Sequence, residues 1–216
     1  SFKCNAGSAL FIKLFLISNN LMATNLYYED ELNIEKKKAF RPLSIEGEKL
    51  ACKLVQEEGF NDIERIYADE SNSSITSANY LASKLNLDLV VNSKINDCKV
   101  GDLQNKTLKM LSYFQEHNFD FKTEGGESLN ECQKRIDNFI KKLIMDDYEK
   151  VCIYLPKKCL MSYLLKYTKQ EFNLEDNLIL EYKDSIIMGD IESNIDIFEL
   201  LFDGLNLKGI KVINLK

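Results

Sequence analysis

FIKLFLISNN, residues Phe11–Asn20, decides how the rest of the chain is read. Apart from Lys13 the run is apolar without alternation as far as Ile17, and it then stops in Ser18, Asn19 and Asn20. An apolar run with no polar alternate face predicts a strand buried on both sides of a parallel sheet. In open α/β sheets ligands bind beyond the carboxyl ends of the strands. The three polar residues are therefore expected at the mouth of a site.

Moving outward, strands and helices alternate. Ser44 is an expected N-cap with Glu46 and Glu48 in the first turn, where the helix dipole favours negative charge. Leu50, Ala51, Leu54 and Val55 follow at helical spacing. Ile63–Ala68 reads as a second strand, Asp69–Ser74 as a polar loop, Ile75–Leu85 as a helix and Leu87–Val91 as a third strand. Gly101, Gly125 and Gly126 mark irregular chain around a short helix at Leu108–Phe114. From Ser128, the residues Leu129, Cys132, Ile136, Phe139, Ile140, Leu143 and Ile144 form one apolar helical stripe. Val151–Leu155 is a further buried strand, closed by Pro156 and followed by a helix carrying Lys157 and Lys158. The tail turns β-rich, at Ser185–Met188, Ile195–Phe202 and Ile210–Leu215. The expected fold is a three-layer α/β sandwich, a mostly parallel central sheet between helices with a small lid region near residues 98–126.

Composition bounds the function. A chain of 216 residues, 45% apolar and 29% charged, fits one globular domain over residues 10–216. Residues 1–9 contain NAGSA at Asn5–Ala9, read as an added, non-native leader. A net charge of −6 argues against nucleic acid as a partner, since phosphate backbones demand a basic surface. The first apolar run is too short to span a membrane and carries Lys13, and Leu14–Ile17 reads as strand rather than signal peptide. Six cysteines without a CxxC pattern predict reduced thiols in a cytoplasmic protein, and a single histidine gives no metal site and no cofactor. Tyr27, Tyr28 and Tyr80, or an unpaired strand in the tail, are the expected basis of a homodimer.

Six segments in order carry a resemblance: LFLISNN, RPLSIEGEKLA, RIYADESNSSITSANYLA, INDCKVGDL, EGGESLNECQKRI and KVCIYLPKKCLMSYLL. Together, from Leu14 to Leu165, they resemble the histidine phosphatase superfamily, with its phosphoglycerate mutase-like fold. The resemblance implies a nucleophilic histidine flanked by an arginine where this chain has Asn19 and Ser18. It implies a second phosphate-gripping arginine where Ser73 stands, a second histidine at Pro156, and a proton-donating acid at Asp97. An asparagine amide has no basic nitrogen with which to attack phosphorus. Phosphoryl transfer depends on cations around the equatorial oxygens, and loss of one such element costs on the order of a hundredfold in rate.

The reading is thus a pseudoenzyme whose crevice binds a small polar or anionic ligand, or a protein partner. Ser18, Asn19, Asn20, Ser73, Lys157 and Lys158 are its candidate binding residues. The alternative is a divergent phosphatase, mutase or other hydrolase with a relocated nucleophile. For that role Cys98 lacks a visible cationic neighbour, and His117 reads as a surface histidine at a helix end or loop. Glu124 and Glu127 are read as capping the long helix.

Overall fold

The first strand, β1 (Phe11–Asn19), divides its apolar residues between two cores. Ile12, Leu14 and Leu16 enter one cluster, while Phe15 and Ile17 enter the other, and all five are buried. This is the two-sided burial expected of a strand without polar alternation. The computed structural model describes residues 11–19, 43–104, 106–146, 148–189 and 194–215. Asn20, Tyr27, Tyr28, Cys4 and the leader reading of residues 1–9 lie outside the described residues.

Helix α1 (Ile45–Gln56) is capped by Ser44, whose hydroxyl accepts from the Gly47 amide. Strand β2 (Arg65–Ala68), helix α2 (Asn72–Leu85) and strand β3 (Leu89–Val91) follow. Helices α3 (Leu108–His117) and α4 (Leu129–Met145) lead to β4 (Lys150–Tyr154) and α5 (Lys157–Leu164). Strands β5 (Lys169–Phe172), β6 (Leu178–Tyr182) and β7 (Ser185–Met188) form a separate antiparallel sheet. The last two strands, β8 (Ile195–Asp203) and β9 (Asn206–Val212), rejoin the central sheet, whose order is β3-β2-β4-β1-β8-β9.

The sheet is mixed. β3, β2, β4 and β1 pair in parallel, whereas β8 runs antiparallel to β1 and β9 antiparallel to β8. The antiparallel pair follows from the tight connection after Asp203, since parallel neighbours need a long crossover. One face of the sheet is covered by Leu54 of α1 with Ala78, Leu81 and Ala82 of α2. The other is covered by Ile136, Phe139 and Ile140 of α4 with Leu160, Tyr163 and Leu164 of α5. The small sheet adds Leu178, Leu180 and Met188 to that second core. Among the described residues, no helix is long and apolar enough to cross a membrane.

Every residue of the apolar stripe on α4 is buried. Its start is fixed by a capping box: the Ser128 hydroxyl accepts from the Glu131 amide, and the Glu131 carboxylate accepts from the Ser128 amide. The predicted polar loop at Asp69–Ser74 is shorter than expected. Ser71 is already the N-cap of α2, accepting from Ser74, so Ser73 sits in the first helical turn. Between β3 and α4 the chain makes an excursion closed at its base by a bridge between Asp102 and Glu124. Gly101 has φ +67°, and a Cβ there would collide with the backbone of Gly126 and Glu124. Glycine is required at that closure.

Ile136 is fully buried beneath the sheet. Ile136→Ala is expected to cost roughly 2–5 kcal/mol through lost burial and the cavity left behind. Ser128→Ala, which removes only the cap, is expected to cost about 1 kcal/mol. Urea denaturation of both variants against wild type measures the two costs.

Candidate ligand-binding crevice

The carboxyl ends of β1, β2 and β4 open into a cavity of about 860 Å³. Its walls include Ser18 from β1, Asp69 after β2, Ser73 from α2, Asp97 after β3, and Pro156, Lys157 and Lys158 at the start of α5. Every described side chain predicted for the site therefore meets in one crevice. The backbone of Asn19 ends β1 at the same place, paired with Ile195. Leu108, Ser112 and Glu116 of α3 form the wall opposite the strand ends.

Each position has a local cause. Ser18 is 3% exposed and lies opposite Asp196 in the β1–β8 ladder. Lys157 stands 3.7 Å from the Asp196 carboxylate, so its charge is compensated from the neighbouring strand. Lys158 reaches the Ser112 hydroxyl at 3.5 Å and offsets part of the burial that raises the Glu116 carboxyl. Pro156 is the N-cap of α5 and makes no side-chain capping bond.

Asp69 is a residue that sequence reading missed. It is 3% exposed and accepts from the Ser71 amide at 3.2 Å and from the Ser71 hydroxyl at 3.0 Å. The Ser71 hydroxyl also lies 3.3 Å from that of Ser73. Burial pushes the Asp69 carboxyl up to about 6, although the serine hydrogen bonds pull the other way and Asp97 adds to the rise. Its position just before an N-cap serine was visible in the sequence; its burial was not.

Arg135 also lines the crevice. Its guanidinium donates to both carboxylate oxygens of Glu127, at 2.8 and 2.7 Å, and to the carbonyls of Lys94 and Asn96 at 2.9 and 3.0 Å. Such a forked pair is geometrically specific and directional. It corrects the expectation that Glu124 and Glu127 cap α4: Glu127 grips Arg135, Glu124 bridges Asp102, and the cap is Ser128 with Glu131.

His117 is the last residue of α3 and lies outside the crevice lining. It contacts Asp176 at 3.2 Å and stacks on Phe172 with ring centroids 4.5 Å apart. Cys98 and Cys132 are paired as a disulfide, against the expectation of reduced thiols throughout. Cys152 and Cys159 are free and buried, Cys52 is exposed, and burial raises the Cys159 thiol far above its ordinary range. Neither Cys98 nor Cys159 is an activated nucleophile as the chain stands. Tyr80 is half-buried rather than exposed.

A family model described as the histidine phosphatase superfamily (branch 1) matches residues 33–182. The chain belongs to the histidine phosphatase superfamily. No curated protein matches it. Among solved structures, it is similar to a mycobacterial glucosyl-3-phosphoglycerate phosphatase, with TM-score 0.62 and 12% identity over 94% of this chain and 97% of that one. A putative alpha-ribazole-5'-P phosphatase from Escherichia coli is similar with TM-score 0.64 and 15% identity, covering 94% and 96%. Phosphoglycerate mutase from Bacillus anthracis gives TM-score 0.63 and 12% identity, covering 95% and 93%. Likeness at this identity establishes the phosphoglycerate mutase-like fold and leaves function to the site.

The Asp69 carboxyl predicts a pH dependence within this histidine phosphatase frame. Its folded-state value lies above the ordinary 3.8, so the folded chain binds the proton more tightly than the unfolded chain. That contribution to stability is complete below about pH 4 and is lost as pH rises through about 6, a loss on the order of 3 kcal/mol at most. Asp69→Asn is expected to flatten this slope, so that the variant gains on wild type between about pH 4 and about pH 7. Urea denaturation across that range checks it; parallel curves for the two proteins would refute the assignment.

Proposed function

We propose that this histidine phosphatase-fold protein has lost phosphotransfer and acts by binding a small polar or anionic ligand in the crevice. One observation carries the reading: the chain has a single histidine, His117, and it does not line the crevice. Ser18, Ser73 and Pro156 stand where the family resemblance implies arginine, arginine and histidine, and none of them has a cation or an imidazole to offer. Arg135, the arginine in the lining, is held in a fork by Glu127. Among the described residues the remaining walls supply hydroxyls from Ser18, Ser73 and Ser112 together with the ammonium groups of Lys94, Lys99, Lys157 and Lys158. That is a set suited to holding oxygen-rich ligands rather than to displacing a leaving group.

Asp69 is the feature that favours the competing reading, a divergent hydrolase, because a buried carboxyl near neutrality is a proton donor. The two readings separate in one experiment. Purified protein incubated with p-nitrophenyl phosphate and with phosphorylated three-carbon acids is expected to show no turnover above buffer, and no phosphohistidine by mass spectrometry. Asn19→His alone is expected to stay inactive, because the imidazole arrives without the two phosphate-gripping arginines that the resemblance implies where Ser18 and Ser73 stand. Turnover in wild type that Asp69→Asn or Asp97→Asn abolishes would establish the hydrolase instead.

A further inference from the structure

Behind the crevice wall, three cysteines distant in sequence converge. Cys98 comes from the loop after β3, Cys132 from the first turns of α4 and Cys159 from α5. Their sulfur atoms all lie within 4.8 Å of one another. Cys132 and Cys159 are fully buried, and Cys98 is 5% exposed and forms part of the crevice wall. The Cys159 sulfur is 3.5 Å from that of Cys132 and 3.9 Å from that of Cys98.

We propose that in the reduced protein Cys98, Cys132 and Cys159 form a thiolate site for a thiophilic metal ion of the Zn²⁺ class, set into the wall of the crevice. The spacing carries the proposal. Tetrahedral zinc with sulfur ligands at about 2.3 Å places those sulfurs about 3.8 Å apart. Both separations made by Cys159 already bracket that value. Three soft ligands select zinc or copper(I) over magnesium or calcium. Of the three, Cys98 lines the crevice, which gives an ion its route of entry.

The surroundings suit the charge. Three thiolates exceed a divalent ion by one negative charge, and Arg135 donates to the Cys132 sulfur at 3.5 Å. The Ser162 hydroxyl donates to the same sulfur at 3.4 Å. Such outer contacts orient ligands and neutralise excess charge. The fork of Arg135 on Glu127 and on the Lys94 and Asn96 carbonyls fixes the loop that carries Cys98.

The disulfide between Cys98 and Cys132 is the oxidised form of two of these ligands. A dithiol reductant attacks it, breaking the sulfur–sulfur bond, and two thiols result while the reductant closes its own disulfide. Zinc then displaces one proton from each of the three thiols. The site is therefore open only to the reduced chain.

The test uses the full chain, reduced with dithiothreitol and desalted without oxygen. Titration with Co²⁺ is expected to produce sulfur-to-cobalt charge-transfer absorption that saturates at one equivalent and is bleached by Zn²⁺. The oxidised chain is expected to give no such band. Cys159→Ser is expected to weaken cobalt binding at least tenfold, whereas Cys152→Ser, at a buried cysteine outside the cluster, leaves it unchanged. Zinc-edge X-ray absorption of the wild-type complex needs no variant and is expected to count three sulfur neighbours. Absence of the band from the reduced chain, an equal band from the oxidised chain, or a zinc shell without three sulfurs would each overturn the proposal.

Discussion

Everything in this molecule is referred to a strand with no free side. β1 exchanges hydrogen bonds with β4 along one edge and β8 along the other, and it packs into a separate core on each face. A strand that is apolar on both faces has little in its side-chain alternation to choose a register. Its polar ends make the choice. Lys13 pairs with Glu199 of β8 at 3.2 Å near one end, and Ser18 faces Asp196 near the other. Once that register is set, the C-terminal end of β1 can open only at the crevice, beside the ends of β2 and β4.

This arrangement separates the residues that hold the fold from those that line the crevice. The apolar residues of β1, β2, β4, α2 and α4 fill the two cores. Ser73, Asp97, Pro156 and Lys158 sit in first helical turns or connections, where a change of side chain disturbs little packing. A superfamily fold can therefore persist while the chemistry at its strand ends drifts. Serine at positions where the resemblance implies arginine keeps a hydrogen-bonding donor and loses the charge.

What could be read from the sequence follows the range of the interactions involved. β1, the stripe on α4 and the Ser44 cap were legible because periodicity and capping act within a few residues. The crevice residues on β1, α2 and α5 were legible because strand ends locate a site and the family resemblance supplied the register. Glu127 was misread because acid near a helix start looks alike whether it caps the helix or grips Arg135. The burial of Asp69 and the meeting of Cys98, Cys132 and Cys159 had no local signature, since each depends on elements brought together across the sheet or across its covering helices. β5 was also unread: Lys169–Phe172 carries charge at both its first and third positions and shows no apolar face.

The link between Cys98 and Cys132 has a topological consequence. It spans 34 residues and encloses the whole excursion that carries α3, so that excursion is a covalent ring rooted on α4. By loop-closure entropy, a ring of that size removes roughly 4 kcal/mol of freedom from the unfolded chain. It also diverts mechanical load. Tension applied between the chain ends follows a covalent path from Cys98 to Cys132 through sulfur that leaves out the backbone of the ring. The wall formed by α3 then feels such a pull only through its side-chain contacts, such as those of Ser112 with Lys158 and of His117 with Asp176.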